Sequence, residues 1–216
     1  MSLRRFSFLF ATIVILDLIL GQNAVEWRYV SKPLITISLL WYSWFHLKKN
    51  IQVIDRLFLA ALIAAWFGDV FLLWDDLFVW GLSSFLIMQL LYILTFVKSQ
   101  NYYGLREWVY AASLSVFLYL TLTWLWPQLG DMAIPVLVYS GAICTMSWFA
   151  WTRDKRSSGY WAIWIGTLFF ILSDMTIAIH KFTDVHLGDL TIMSTYCIAQ
   201  FLIVFGYLSY RRGRLS

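Results

Sequence analysis

The amino-acid sequence predicts an all-α integral membrane protein, a bundle of eight transmembrane helices. Of its 216 residues, 61% are hydrophobic and 13% are charged, whereas soluble domains carry roughly 25% charged residues. Crossing the hydrocarbon layer takes about 20 mostly apolar helical residues. Such segments cover residues 6–21, 30–47, 57–74, 78–98, 108–126, 132–152, 159–179 and 188–210. Because the connections are short, we expect residues 1–216 to form a single polytopic membrane domain.

The basic residues support this number of helices. With eight spans, one side of the membrane holds only Arg28, Lys32 and Lys181 of the 16 Lys and Arg residues. The other side holds Arg4, Arg5, Lys48, Lys49, Arg56, Lys98, Arg106, Arg153, Lys155, Arg156, Arg211, Arg212 and Arg214. Since positive charge concentrates in the cytoplasm, both termini are predicted to be cytoplasmic. The pI near 9.1 therefore reflects topology and does not indicate nucleic acid binding.

Two aspartates interrupt the apolar pattern, Asp69 in the third segment and Asp174 in the seventh. A carboxylate in the hydrocarbon layer costs several kcal/mol unless it is neutral, paired or beside a wet cavity. Both segments run outward and lead into an acidic turn, which indicates a 4+4 parallel internal repeat. Such repeats commonly carry a site near the middle of the membrane. A third acid, Asp17, is expected to have a structural partner, Lys32 or a backbone group.

Further polar side chains lie at depths similar to those of the two aspartates, counting 1.5 Å per residue from the helix ends. They are Gln89, Tyr92, Tyr139, Tyr196 and Gln200, and Lys32 stands above them at the start of the second span. A polar layer beneath one cation is typical of a pocket for an amphipathic molecule. The structural alternatives are hydrogen bonding between helices and, for Lys32, snorkelling to the membrane surface.

The segments around these residues carry several motifs. They are Lys32-Pro33-Leu34, Gly68-Asp69-Val70-x-Leu72, Gly81-Leu82-x-x-Phe85, Tyr92-x-x-x-Phe96, Pro135-Val136-x-x-Tyr139, Gly166-x-Leu168-Phe169-x-x-x-Ser173-Asp174-x-x-x-Ala178 and Tyr196-x-x-Ala199-Gln200-x-Leu202-Ile203. Together they resemble the YhhN-like family of lysoplasmalogenases, which are integral-membrane hydrolases. Gln89 departs from the pattern, since many relatives carry His there, so we expect hydrogen bonding and no acid–base role at this position.

The resemblance implies hydrolysis of the vinyl-ether bond of lysoplasmalogens, 1-alkenyl-glycerophosphocholine or 1-alkenyl-glycerophosphoethanolamine, to a fatty aldehyde and the glycerophospho-base. Such bonds hydrolyse by protonation of the outer alkenyl carbon and attack of water on the oxocarbenium ion. Asp69 and Asp174 would divide the acid and base roles as the two carboxyl groups of glycosidases do, one protonated and one ionised. This chemistry requires neither a metal nor an organic cofactor. The tyrosines and glutamines would orient the reacting groups, and Lys32 would bind the phosphate.

The alternative function is a proton-coupled carrier of a small molecule or lipid. Paired intramembrane acids within a parallel repeat also suit a carrier. A carrier would favour Pro or Gly interruptions in the middle of its helices, and we expect Pro33, Pro127 and Pro135 to lie near helix ends. This placement argues against a carrier. Such a short chain with short loops is typical of a bacterial inner membrane protein, and a protein of an internal membrane of a eukaryotic cell would look similar.

Overall fold

A computed structural model describes residues 3–23, 25–99, 101–185 and 188–214. Over these ranges the chain forms eight α-helices joined by turns and short 3-10 segments. They are α1 (Leu3–Asn23), α2 (Val25–Leu47), α3 (Val53–Phe71), α4 (Phe78–Val97), α5 (Leu105–Leu129), α6 (Ala133–Thr152), α7 (Tyr160–Phe182) and α8 (Asp189–Gly213). The all-α prediction is confirmed, and each predicted segment overlaps one helix. The connection between the first two predicted segments includes Ala24, and that between the last two includes His186 and Leu187, all of which lie outside the described residues.

Long apolar helices make this an integral membrane protein. Within the described part of the chain, four segments are long and apolar enough to cross a bilayer: Asp75–Val97, Leu105–Thr152, Tyr160–Phe182 and Leu190–Gly213. The second of these, with 48 residues, contains both α5 and α6. Large apolar side chains point away from the protein, for example Leu105 at 82% exposure and Trp80 at 64%. Contact with lipid accounts for an apolar surface of this extent.

Helices α3 and α5 begin roughly one turn earlier than hydropathy predicts. Acidic side chains in the first turn account for the difference. The Oδ2 of Asp55 accepts a hydrogen bond from the backbone N–H of Gln52 (2.7 Å), and the Oε2 of Glu107 accepts one from Gly104 (3.0 Å). Such contacts satisfy N–H groups that have no partner within the helix. Polar capping therefore extends both helices beyond their apolar segments.

The expectation that all three prolines lie near helix ends was wrong for Pro33. Helix α2 begins at Val25, so Pro33 lies inside it, past the first two turns. A proline in a helix interior removes one backbone hydrogen bond and favours a bend. Pro127 lies in the last turn of α5 and Pro135 in the first turn of α6, as expected. The positions of the prolines consequently no longer argue against a carrier.

The chain divides into two compact units, Met1–Leu91 and Tyr92–Ser216. In the first unit, α2 packs against both α1 and α3. In the second, α7 and α8 approach each other closely because glycines face the contact. A methyl group on Gly206 would lie 2.7 Å from the carbonyl oxygen of Gly159, and one on Gly166 would lie 2.8 Å from Ile203. Small residues of this kind allow close packing of membrane helices.

Candidate active site

Asp69 lies near the C-terminal end of α3 and is 1% exposed. Its Oδ2 accepts a short hydrogen bond from the hydroxyl of Thr36 on α2, a residue that is fully buried. The preceding residue, Gly68, permits this placement, because a methyl group there would lie 2.7 Å from the ring of Phe85 on α4. Asp69 is thus a buried carboxyl group held by a hydroxyl donor of the neighbouring helix.

Lys32 stands one turn before Thr36 on α2, so the two side chains share one face of the helix. We predicted Lys32 at the start of its helix, but α2 begins at Val25 and places it roughly two turns inside. Its side chain is only 9% exposed, which differs from a lysine that snorkels into water. The first unit therefore places a buried cation on the face of α2 that also holds Asp69.

The third acid, Asp17, has a partner other than those we predicted. Its Oδ1 accepts a hydrogen bond from the hydroxyl of Ser31 (2.6 Å), and Asp17 is 1% exposed. Within the part of the chain that the structure describes, its buried Oδ2 has no hydrogen-bond partner. The serine next to Lys32 thus takes the structural role that we assigned to Lys32 or a backbone group.

Gln89 presents an unusual arrangement on the buried face of α4. The side chain is fully buried, yet neither its Oε1 nor its Nε2 has a hydrogen-bond partner among the described residues. Leaving a buried amide unsatisfied costs about 1–3 kcal/mol per group. Native proteins rarely tolerate this without a ligand, an ion or an ordered water at the site. The predicted role of Gln89 in orienting a bound molecule stays a prediction, and its unbonded amide atoms are compatible with it.

In the second unit, Asp174 on α7 accepts a hydrogen bond from the hydroxyl of Tyr139 on α6. The distance between the Tyr139 oxygen and the Asp174 Oδ2 is 2.5 Å. Tyr139 is buried, whereas Asp174 is partly exposed. The adjacent residue, Ser173, donates to the backbone carbonyl of Ile192 on α8 (3.2 Å), which fixes the position of this part of α7.

A chain of hydrogen bonds joins the remaining predicted residues of the second unit. The Tyr92 hydroxyl on α4 donates to Oε1 of Gln200 on α8 (3.1 Å), and Nε2 of Gln200 donates to the Tyr196 hydroxyl (3.4 Å). All three side chains are buried, and the ring of Phe170 meets Tyr196 edge-on at 5.6 Å between centroids. The bond between Tyr92 and Gln200 joins α4 to α8, as the structural alternative predicts, whereas the bond between Gln200 and Tyr196 lies within α8. The amide of Gln200 thus has a partner at each end.

Sequence reasoning missed Thr36 and Ser31 as partners of buried acids. Hydroxyl side chains in membrane helices most often bond to their own backbone one turn earlier, as Ser140 does here (2.5 Å to the carbonyl of Val136). Nothing local in the sequence separates such a residue from one that reaches another helix. The only signal was the spacing of Thr36 four residues after Lys32, which places both on one helix face.

Hydroxyl groups donate to both aspartates, an arrangement that suits hydrogen bonding and proton transfer. Each carboxyl group has one oxygen held by a hydroxyl of another helix. Among the described residues, no group of three His, Cys, Asp or Glu side chains is placed to hold a metal ion. The arrangement thus offers two oriented carboxyl groups and, in Lys32, a buried cation.

Comparison with known proteins identifies the family of this chain. Residues 27–207 match the model of the YhhN family. This chain belongs to the YhhN family. Lysoplasmalogenase TMEM86A of Homo sapiens is 36% identical over 157 residues, which cover 68% of this chain and 63% of the relative. Lysoplasmalogenase TMEM86B of Sus scrofa is 33% identical over 145 residues, covering 67% and 60%. The matches therefore span less than two thirds of these relatives, and no solved structure matches the chain significantly.

Proposed function

We propose that this protein is a lysoplasmalogenase that hydrolyses the vinyl-ether bond of lysoplasmalogens with choline or ethanolamine head groups. The observation that carries the proposal is the pair of membrane-helix aspartates, each held by a hydroxyl group, in a chain of the YhhN family. The relatives named lysoplasmalogenase support the same activity. The products would be a fatty aldehyde and the glycerophospho-base.

In the proposed mechanism, Asp69 and Asp174 are the two catalytic carboxyl groups. One transfers its proton to the outer alkenyl carbon, which leaves an oxocarbenium ion at the carbon bonded to the ether oxygen. Water attacks that carbon and gives a proton to the other carboxylate. The hemiacetal then collapses as its hydroxyl loses a proton and its C–O bond to glycerol breaks, with protonation of the departing oxygen. The products are the fatty aldehyde and the glycerophospho-base with a free hydroxyl group.

We assign the proton donor to Asp174 and the base to Asp69. The buried Lys32 shares the α2 face of Thr36, the hydrogen-bond donor to Asp69, so its charge favours an ionised carboxylate there. Asp174 has a neutral phenol as its donor. In this proposal Lys32 also binds the substrate phosphate as a point charge, while Gln89 orients the substrate. Tyr92, Tyr196 and Gln200 support the site through their hydrogen-bond chain.

For the topology we propose eight transmembrane spans with both termini in the cytoplasm of a bacterial cell, in the inner membrane. The segregation of basic residues and the overlap of eight helices with eight apolar segments support this arrangement. A 4+4 parallel repeat and a single domain over residues 1–216 are parts of the same proposal. Impermeant thiol labelling of Asp76→Cys and Arg212→Cys in sealed cells, with Cys144 and Cys197 replaced by Ala, tests it. Labelling of Arg212→Cys from outside would contradict it.

The decisive test of the activity is incubation of the purified protein with lysoplasmenylcholine and lysoplasmenylethanolamine, followed by measurement of released fatty aldehyde. An ester-linked lysophospholipid of the same chain length is the control and should release no aldehyde. We expect aldehyde and glycerophospho-base in equal amounts. Absence of aldehyde from a folded protein would refute the proposed function. The carrier alternative has no specific support, since the relatives reported above are named as enzymes.

A further inference from the structure

A polar cavity of about 480 Å³ lies in the second unit, at the helix ends where α4, α6 and α8 finish. Four basic side chains line it, and one acidic side chain, Asp154, accompanies them. The basic residues are Lys98, Arg153, Arg156 and Arg214. Ser99, Ser157, Ser158 and Tyr210 add hydroxyl groups to the lining. The cavity thus combines a positive charge excess with many hydrogen-bond donors.

Arg153 is the residue that distinguishes this cavity from an ordinary basic surface. Only 1% of it is exposed, and its buried Nη1 has no hydrogen-bond partner among the described residues. Its Nε donates a long hydrogen bond to Ser99 (3.4 Å), and the guanidinium lies 4.8 Å from the ring centroid of Tyr210. Burial lowers the pKa of Arg153 to about 10, so the group remains charged at neutral pH.

The acid next to Arg153 does not neutralise it by direct pairing. Over the described ranges, no carboxylate lies within 4.0 Å of the Arg153 guanidinium. The Oδ1 of Asp154 accepts a hydrogen bond from the backbone N–H of Arg156 instead (3.0 Å). The Tyr210 hydroxyl accepts one from Nη1 of Arg214 (3.0 Å), which leaves its own proton for an acceptor in the cavity. A buried cation without a paired anion costs free energy that a bound anion would recover.

Two general effects explain the exposed cations but not Arg153. Basic residues concentrate on the cytoplasmic side of membrane proteins, and cations stabilise helix C-termini. Both effects operate on side chains that remain in water, as Lys98, Arg156 and Arg214 do. Neither accounts for an arginine that is almost completely buried with an unsatisfied N–H group. An acceptor oxygen of a bound ligand would satisfy this N–H group.

We propose that this cavity binds a phosphate group, either as a free phosphate or as the head group of an anionic lipid. Several arginines that converge on one space suit phosphate oxygens, which accept multiple charge-assisted hydrogen bonds. The site differs from that of the proposed substrate. Asp174 lies fourteen residues beyond Tyr160 at the start of α7, about 20 Å along the axis. Glycerol alone separates the phosphate of a lysophospholipid from its ether oxygen, so one molecule cannot reach both places.

The test uses the purified full-length protein and its tryptophan fluorescence to follow thermal unfolding. One arm titrates inorganic phosphate in neutral detergent against sodium chloride of equal ionic strength. The other compares phosphatidylcholine nanodiscs with and without phosphatidate. We expect a saturable rise of several degrees in Tm, because a ligand that binds only the folded state stabilises it. A rise with inorganic phosphate identifies a free anion as sufficient, and a rise with phosphatidate alone identifies a lipid head group.

The variants separate this cavity from general charge effects. The double variant Arg156→Gln and Arg214→Gln replaces two exposed side chains of the cavity. Its rise in Tm with phosphate should be no larger than its rise with sodium chloride. Arg212→Gln, an exposed neighbour outside the cavity, should keep the full rise. Arg153→Gln should also lose the phosphate-dependent rise in Tm, provided that this variant still unfolds cooperatively. The same rise in the double variant as in the wild type, or no rise in either arm, would overturn the proposal. Because the readout is stability, the result is independent of lysoplasmalogenase activity.

Discussion

Asp69 lies in the last turn of α3, whereas Asp174 lies about two turns before the end of α7, and their surroundings also differ. Asp69 is 1% exposed and receives a hydrogen bond from an aliphatic hydroxyl, that of Thr36. Asp174 is partly exposed and receives one from a phenol, that of Tyr139. In the first unit, a buried cation, Lys32, lies on the same face of α2 as Thr36. Two carboxyl groups that look equivalent in the sequence therefore have partners suited to different roles.

The two buried glutamines show the same divergence between the units. Gln200 uses both ends of its amide, accepting from Tyr92 and donating to Tyr196. Gln89 uses neither end within the described residues, although it is equally buried. A satisfied amide stabilises the fold, whereas an unsatisfied buried amide costs about 1–3 kcal/mol per group. In the proposed mechanism a bound substrate would satisfy Gln89, while Gln200 supports the site through its hydrogen bonds.

The largest effects are expected from Asp69→Asn and Asp174→Asn. Each should lower aldehyde release by at least about 10²-fold, since a general acid or base contributes roughly 10²–10⁴-fold. If the roles differ as proposed, the pH dependence of the residual rate separates them. A base must be ionised to act, so in Asp69→Asn the rate should no longer rise as the pH increases from acidic values. An acid must be protonated to act, so in Asp174→Asn the rate should no longer fall as the pH increases toward alkaline values. Near wild-type turnover in either variant, with unchanged thermal unfolding, would eliminate that carboxyl group from the mechanism.

A smaller loss is expected from the positioning residues, Tyr139 and Thr36. Tyr139→Phe and Thr36→Val each remove one hydrogen bond to a catalytic carboxyl group, with an expected reduction in kcat of about 10-fold. The pH profile distinguishes this role from a purely structural one, because Tyr139→Phe should shift the alkaline limb and Thr36→Val the acidic limb. Thr36→Ser restores the donor and should recover most of the activity. Equal shifts of both limbs in both variants would contradict the assignment of separate roles.

Lys32→Ala tests whether the buried cation of the first unit binds the substrate phosphate. We expect KM to rise about 10-fold with a lesser change in kcat, because a phosphate contact strengthens binding before the chemical step. Lys181→Ala removes an exposed lysine and serves as the matched control, with KM unchanged. An unaltered KM in Lys32→Ala would remove this residue from the head-group site.

The smallest expected effect is the difference in stability between Gln89→Leu and Gln200→Leu. Replacing the unsatisfied amide should raise the free energy of unfolding by about 1 kcal/mol, while replacing the bonded amide should lower it by a similar amount. Thermal unfolding in detergent measures both, and Gln89→Leu should also weaken aldehyde release. If both substitutions destabilise the protein equally, then Gln89 has structural partners and does not await a ligand.

The sequence by itself determined the helical class, the membrane environment and the position of both aspartates within apolar helices. These properties depend on local hydropathy and on helix length, which each segment carries independently. The tertiary structure alone decided that Thr36, Ser31 and Tyr139 hold the three acids. It also decided that Lys32 is buried, that Gln89 has no hydrogen-bond partner within the described residues and that Arg153 lines a polar cavity. Such contacts depend on how each helix rotates and packs against others, which no short segment encodes.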